Sequence, residues 1–131
     1  MKIRKLFLLT VTSGLIPIAL AYGLMPVESM DYLFDMKINE PNGTHIFRAI
    51  MGLYLATAVF WIMGAFKPDL RQSAMLTLVV FMWGLGLGRA LSIIIDGVPN
   101  ALLLLYIFLE VGFGVIGLIL LSKRDEDEPQ N

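Results

Sequence analysis

The residues with the clearest chemical potential are charged and polar side chains inside long apolar segments. Arg89, Ser92 and Asp96 recur at intervals of three and four residues, a spacing that places them on one face of a helix. Tyr106 and Glu110 are four residues apart on the next apolar segment, so they also share a face. A guanidinium stays ionised and can form forked hydrogen bonds to a carboxylate. The pattern therefore predicts an ion pair between Arg89 and Glu110.

A second group of candidate residues lies on the preceding apolar segment, where His45 and Arg48 share a helical face. We expect these two side chains, with Asp96, to form the rim of an outward-opening polar pocket. Its floor would be the pair Arg89–Glu110. The predicted ligand-binding residues are Arg89, Glu110, Arg48, Asp96, Ser92, Tyr106 and His45. Simpler interpretations stay open: the ion pair fixes only the helix register, Arg48 extends to lipid headgroups, and His45 is an interfacial loop residue.

The composition indicates an integral membrane protein. Only 16% of the 131 residues are charged and 57% are hydrophobic, whereas soluble domains carry about 25% charged residues. The chain has no cysteine, which excludes disulfides and thiolate chemistry, and its single histidine excludes a multi-histidine metal site. We predict no metal and no cofactor, and the lack of a basic patch argues against a nucleic-acid partner. Membrane lipid is the predicted partner.

Four apolar stretches are long enough to cross a bilayer, which requires about 20 residues. They comprise residues 6–25, 46–66, 73–95 and 101–121. In lipid each must be helical, because backbone groups without hydrogen-bond partners are too unfavourable there. The expected fold is an all-α, four-helix transmembrane bundle over residues 1–124, followed by a disordered acidic tail at residues 125–131.

The distribution of positive charge predicts which side each loop faces. Lysine and arginine cluster at both termini and between the second and third spans, whereas the first loop, residues 26–45, contains only Lys37. The positive-inside rule then places both termini in the cytoplasm. Within the loop, residues 29–36 have the spacing of a short helix at the membrane surface. The start of the chain also resembles a cleavable signal peptide, with Ala19 and Ala21 in an A-x-A pattern, and retention of this segment is the preferred alternative.

Small residues recur in the last two spans. Gly84 and Gly88 form a G-x-x-x-G pair, a pattern that lets helix backbones approach closely in membranes. Gly112, Gly114 and Gly117 thin the fourth span in the same way. Packing within one chain is the preferred interpretation, and a homo-oligomer through Gly84 and Gly88 is the alternative.

The third span and its neighbours resemble a known family. The pattern comprises Gly88, Arg89, Ser92, Asp96, Gly97 and Pro99, with Glu110 on the next span and Arg48 and Gly52 on the previous one. It is similar to the small bacterial membrane proteins grouped as domain of unknown function 4345, and a weaker likeness exists to DoxX-type proteins. The resemblance implies a four-helix protein of the bacterial inner membrane. It implies no particular activity.

Three functions from different classes are open at this point. The first is binding of a small polar or amphipathic, lipid-like ligand, with Arg89 meeting an anionic or carbonyl group and Glu110 orienting Arg89. The second is an intramembrane enzyme that modifies lipids, with Glu110, Asp96 or His45 as its acid-base group. The third is a structural subunit of a membrane assembly. The pattern favours binding, because charged residues within spans usually face protein or water and mark functional sites.

Overall fold

The computed structural model describes residues 2–123, and this part of the chain consists of five helices. They are α1 (Lys2–Gly23), α2 (Pro26–Phe34), α3 (Asn42–Phe66), α4 (Pro68–Asp96) and α5 (Ala101–Ser122). All except α2 are long and apolar enough to cross a membrane. The predicted all-α fold with four potential spans is therefore confirmed over the described residues. The acidic tail predicted at residues 125–131 lies outside them.

Local sequence signals explain where α4 and α5 begin. Pro68 occupies the first turn of α4, where its fixed φ suits the helix and its missing N–H would have no helical partner anyway. Lys67 before it is extended (φ −109°, ψ 109°), as is favoured before a proline, and it alone separates α3 from α4. Asn100 caps α5, because its side-chain oxygen accepts a hydrogen bond from the Leu103 N–H at 3.1 Å. Such short connections join antiparallel neighbours.

Three of the four potential spans begin earlier than hydropathy predicts. Helix α1 starts at Lys2 rather than residue 6 and ends at Gly23 rather than residue 25. Helix α3 starts at Asn42 rather than residue 46, and α4 starts at Pro68 rather than residue 73. Their first turns carry polar residues, which an apolar window excludes although the backbone there is already helical. Hydropathy locates the part of a helix that suits hydrocarbon, whereas the helix itself continues into the polar boundary.

The short surface helix is displaced from its predicted position. Helix α2 covers Pro26–Phe34 rather than residues 29–36, because a proline starts it and Asp35 ends it. Asp35 has a left-handed backbone (φ 53°), which aspartate tolerates better than most residues. Its N–H bonds the Asp31 carbonyl at 2.9 Å and closes the helix.

Side-chain contacts show that consecutive long helices run antiparallel. Between α3 and α4, Trp61 Nε1 donates to Thr77 Oγ1 at 3.2 Å. Tyr54, earlier in α3, packs on Phe81, later in α4, with ring centroids 5.1 Å apart. Lower numbers on one helix thus pair with higher numbers on the other. Helices α4 and α5 pair in the same reversed order.

Most of the apolar core comes from α1, α3 and α4. The largest fully buried side chains are Trp61, Leu8, Met30, Met75, Leu78 and Thr12. Helix α5 contributes differently, because its buried residues are Glu110, Gly114 and Gly117. None of its large apolar side chains is fully buried, and several face outward, as in Phe108, which is 76% exposed. A helix that is apolar on every side is typical of a membrane span.

The structure separates the glycines into packed and open groups. Gly114 and Gly117 lie against side chains of α4, as predicted for small residues that let two helices approach. Gly112 of α5, by contrast, has open space beside it, so the predicted packing is wrong at this position. Gly84 and Gly88 also have open space beside them, and both are exposed. Their preferred interpretation, packing within one chain, is therefore wrong, since no described residue lies over that face of α4.

Two buried arginines donate hydrogen bonds to the ends of helices at one end of the molecule. We call it the terminal end, because it contains the start of α1 and the end of α5. Arg4 of α1 donates to the carbonyl of Leu120 at 2.9 Å and to that of Lys123 at 2.7 Å. Arg71 of α4 donates to the carbonyl of Ala65, near the end of α3, at 3.1 Å. The last carbonyls of a helix have no helical donor. The arginines supply one, and Arg4 also fastens α1 to α5.

Gly64 of α3 provides a test of this packing. A Cβ at Gly64 would overlap the Cβ of Ala74 on α4, whereas a Cβ at Gly52 on the same helix would meet open space. We expect Gly64→Ala to lower the free energy of unfolding by about 1–3 kcal/mol, because the added volume pushes α4 away. The matched control Gly52→Ala should not lower it, because alanine favours a helix interior by up to about 1 kcal/mol relative to glycine. Thermal unfolding in detergent measures both, and equal stabilities of the two variants would contradict the packing.

Candidate functional site

The ion pair predicted between the last two spans is present. Nε of Arg89 donates to both carboxylate oxygens of Glu110, each at 2.9 Å. The side chains are 23% and 10% exposed, respectively. Helices α4 and α5 are antiparallel and joined by residues 97–100. At 1.5 Å per residue, Arg89 lies about 10 Å before the end of α4 and Glu110 about 14 Å after the start of α5, so their depths are similar. Both are nearer to the end of the molecule that contains α2, which we call the loop end.

Glu110 uses only part of the hydrogen-bonding capacity of Arg89. A guanidinium has five N–H groups, and both bonds to Glu110 come from the single N–H at Nε. The two terminal nitrogens, which carry the other N–H groups, do not bind the carboxylate. A hydrogen bond to the Tyr22 hydroxyl of α1 uses part of the remaining capacity, and the Tyr106 ring centroid lies 5.6 Å from the central carbon of the guanidinium. The arginine therefore keeps donors for a further acceptor.

A cavity of about 70 Å³ lies beside the pair. Its polar lining comprises Arg89, Glu110, Tyr54 and Tyr106. The rest of the lining is apolar and comes mainly from α1 and α5, through residues such as Leu15, Leu109 and Phe113. Four helices thus contribute, and the cavity exists only when all four are assembled.

The cavity opens sideways between α1 and α5. Its exposed lining residues are Gly14 of α1 and Leu109 of α5, whereas those from α3 and α4 are buried or half-buried. At the loop end, Phe34 of α2 packs on Tyr106 and on Tyr22, with ring centroids 6.3 and 6.5 Å apart. The sequence predicts an outward-facing opening, whereas α2 lies over that end and the exposed lining lies at the side.

A second cavity, of about 90 Å³, also borders Arg89 and lies between α4 and α5. Ser92 lines it together with Pro99 and Leu103. Ser92 Oγ donates to Asp96 Oδ2 at 2.8 Å, and both residues are exposed. The structure thus brings Arg89 and Ser92 to one groove and holds Asp96 next to the serine.

His45 and Arg48 line neither of these two cavities. Both are exposed near the start of α3. Arg48 Nε donates to the carbonyl of Gly23, the last residue of α1, at 3.3 Å. This bond satisfies a carbonyl that has no helical donor. The predicted rim therefore does not surround either cavity, and a ligand-binding role for His45 and Arg48 stays a prediction.

Sequence reasoning missed two tyrosines and the contribution of α1. Tyr22 and Tyr54 are 8% and 7% exposed, and their ring centroids lie 5.9 Å apart near Arg89. A signal was present for Tyr54, because a tyrosine hydroxyl in the middle of an apolar span requires a polar partner. Tyr22 gives a weaker signal, because it is next to the end of α1, where tyrosine is common as an interface residue. Gly14 gives no such signal, since its position at the opening depends on where α5 lies.

The arrangement suits recognition of hydrogen-bond acceptors rather than metal binding. Among residues 2–123, no group of three or more histidine, aspartate or glutamate side chains is placed to hold a metal ion. Arg89 and Glu110 together carry no net charge, so the pair is tolerable in an apolar interior. Hydrogen bonds are electrostatically stronger in such surroundings than in water. An oxygen acceptor that enters the cavity can therefore bind the spare arginine donors.

Removing one member of the pair should destabilise the protein more than removing both. We expect Arg89→Met to lower the free energy of unfolding by about 3–5 kcal/mol, because Glu110 stays buried without a counter-charge. Arg89→Met/Glu110→Met should recover most of that loss, because apolar side chains of similar length fill the space. Thermal unfolding of both single variants and the double variant in detergent measures the coupling. Additive effects would show that the two charges do not interact.

Comparison with known proteins gives one match, which covers nearly the whole chain. The profile of the domain of unknown function DUF4345 matches residues 3–121. No curated protein and no solved structure matches the chain. The matched region includes every residue that lines the two cavities, and the match confirms the resemblance seen in the third span. The chain belongs to the DUF4345 family.

Proposed function

We propose that this protein is a multi-pass protein of the bacterial inner membrane that binds a small polar or amphipathic, lipid-like ligand beside Arg89 and Glu110. Its four long helices form one transmembrane bundle with both termini in the cytoplasm. The observation that carries the proposal is the combination of spare arginine donors with a mainly apolar cavity.

Arg89 is the recognition group. A charged residue in the middle of a span costs roughly 2.5–3.5 kcal/mol on insertion scales, and such residues usually face a partner. Glu110 satisfies only the Nε side of the guanidinium. A ligand with an anionic or carbonyl oxygen would complete the hydrogen bonding at the terminal nitrogens. The incomplete pairing of Arg89 is thus what a bound ligand would remedy.

Glu110 is the orienting group. Its two oxygens hold the guanidinium by one edge at 2.9 Å, and Tyr106, one turn earlier on α5, covers the same group. A recognition side chain that is held by neighbouring contacts loses less freedom when it binds a ligand. The donors of Arg89 therefore have a fixed direction before any ligand arrives.

The dimensions of the cavity fit a headgroup rather than a whole lipid. Its volume is about 70 Å³, and a single water needs about 10–15 Å³ by the same measure. The space accommodates several polar and apolar atoms but no long chain. Ligand sites commonly combine an apolar lining with a few polar groups that fix orientation, and this cavity has that composition.

The alternative functions have less support from the geometry. For catalysis, both Glu110 oxygens are engaged in the ion pair, Asp96 is bonded to a neighbouring serine, and His45 is on the surface of α3. An acid-base role in lipid modification therefore stays a prediction. A structural role in an assembly, or a homo-oligomer through the exposed Gly84 and Gly88, also stays a prediction.

Copurification of lipid tests the binding proposal. We expect the wild-type protein, purified in mild detergent, to carry a lipid-like ligand that is detected by native mass spectrometry and by organic extraction. Arg89→Met/Glu110→Met should retain at least about tenfold less of it, equivalent to about 1.4 kcal/mol, because no arginine donors remain.

The double variant also separates binding from folding. It keeps a neutral, filled interior, so a Tm near that of the wild type would show that loss of ligand is not caused by unfolding. The open-surface variant Gly52→Ala serves as the control that should keep the ligand. Wild-type ligand content in a folded double variant would refute the proposed site.

Cysteine labelling tests the proposed orientation, because the chain has no native cysteine. Tyr32 of α2 is 89% exposed, so Tyr32→Cys should react with a membrane-impermeant maleimide added to intact spheroplasts. Lys2→Cys, at the terminal end, should react only after the membrane is permeabilised, as the positive-inside rule requires. The opposite pattern of labelling would show that the protein is inserted the other way round.

A further inference from the structure

We infer that the ligand is a neutral amphiphile that enters from the acyl layer between α1 and α5. Its carbonyl or hydroxyl oxygen would contact Arg89, and its apolar chain would leave the cavity past Gly14. The inference rests on the proposed function and adds the route of entry and the charge of the headgroup. It also makes Gly14 a binding-site residue.

The contacts between α1 and α5 define the route. Toward the terminal end the two helices touch, since Phe7 packs on Phe113 with ring centroids 6.0 Å apart. Closer to the loop end, Gly14 and Leu109 line the cavity and are both exposed. A Cβ added to Gly14 would have no described neighbour within 4 Å. The missing side chain of this glycine therefore leaves an opening in the wall.

The depth of the opening places it in hydrocarbon. Gly14 is near the middle of α1, which covers Lys2–Gly23, and it lies about 18 and about 14 Å from the two helix ends at 1.5 Å per residue. The hydrocarbon core of a bilayer is about 30 Å thick, so an exposed residue in the middle of a span, such as Gly14, faces acyl chains. Phe34 on Tyr106 covers the loop end of the cavity. A membrane lipid therefore has a more direct route to the site than a solute from water.

The charge balance of the site favours a neutral headgroup. Arg89 and Glu110 are the charged residues that line the cavity, and their charges cancel. An anion at the terminal nitrogens of Arg89 would lie near the Glu110 carboxylate and would bring net charge into a low-dielectric interior. A carbonyl or hydroxyl oxygen accepts the same hydrogen bonds without either penalty. Tyr54 and Tyr106 also line the cavity, and a tyrosine hydroxyl is a donor that suits such an oxygen.

The small volume of the cavity accounts for the proposed position of the ligand's apolar chain. Only the headgroup fits inside about 70 Å³, so the apolar chain must lie in the opening and beyond it. Ile18 and Leu109 border that opening with apolar surface, which matches an acyl chain.

Photocrosslinking in vesicles tests the route and the charge together. The protein is reconstituted in phosphatidylcholine vesicles with a monoacylglycerol whose acyl chain carries a diazirine, and separately with an alkyl sulfonate that carries the same chain. Peptide mass spectrometry maps the labelled positions. The neutral probe should label α1 within residues 11–18 and α5 within residues 106–113. Labelling by the sulfonate should be about tenfold weaker, equivalent to about 1.4 kcal/mol.

A pair of glycine variants isolates the opening. Gly14 and Gly52 are both exposed glycines with open space for a side chain, but only Gly14 lines the cavity. Gly14→Phe should reduce labelling by the neutral probe about tenfold, whereas Gly52→Phe should leave it unchanged. Circular dichroism of each variant checks folding, and the wild-type label map tests the route even if Gly14→Phe does not fold.

Each outcome decides a different point. Wild-type labelling of a folded Gly14→Phe, or a wild-type label map confined to residues outside α1 and α5, would overturn the lateral route. Equal labelling by the two probes would overturn the neutral headgroup. In both cases, loss of labelling in Arg89→Met/Glu110→Met would still uphold the proposed function. Undiminished labelling of that double variant by the neutral probe would contradict the proposed function itself.

Discussion

The pairing of Arg89 with Glu110 constrains the arrangement of the last two helices. Neither charge is well tolerated alone in hydrocarbon, so α4 and α5 must adopt the register in which Nε meets both carboxylate oxygens at 2.9 Å. The same register places Gly114 and Gly117 against α4, where larger residues would prevent the close approach. One interaction thus sets the depth of the site and the spacing of the helices that enclose it.

Depth determines what each arginine in the described part of the chain does. Arg4, Arg48 and Arg71 lie near helix ends, where each donates to a carbonyl in the last turn of a neighbouring helix. These bonds satisfy backbone groups that helices leave without donors. Arg89 lies deeper, and its partners are side chains: the carboxylate of Glu110, the hydroxyl of Tyr22 and the ring of Tyr106. What distinguishes Arg89 is its place beside a mainly apolar cavity within the bundle, which is why the proposed ligand site centres on it.

Much of the fold could be predicted from the sequence, because hydropathy reports directly on membrane crossing. The ion pair was also predictable, since a short connection between antiparallel helices fixes the relative depth of Arg89 and Glu110. The start of α2 and the position of the cavity opening were not. The first depends on a proline and a left-handed Asp35, and the second depends on how α1 packs against α5. Gly14 gains its role from a neighbour that is distant in sequence, and no local pattern encodes that contact.

The most direct test of this account is an experimental density map of the protein in lipid nanodiscs that resolves side chains. The account predicts that Arg89 and Glu110 face each other and that non-protein density touches the terminal nitrogens of the arginine. That density should continue between Gly14 and Leu109 into the surrounding lipid. A map in which the two charged side chains point apart, toward acyl chains, with no cavity between α1 and α5, would contradict it.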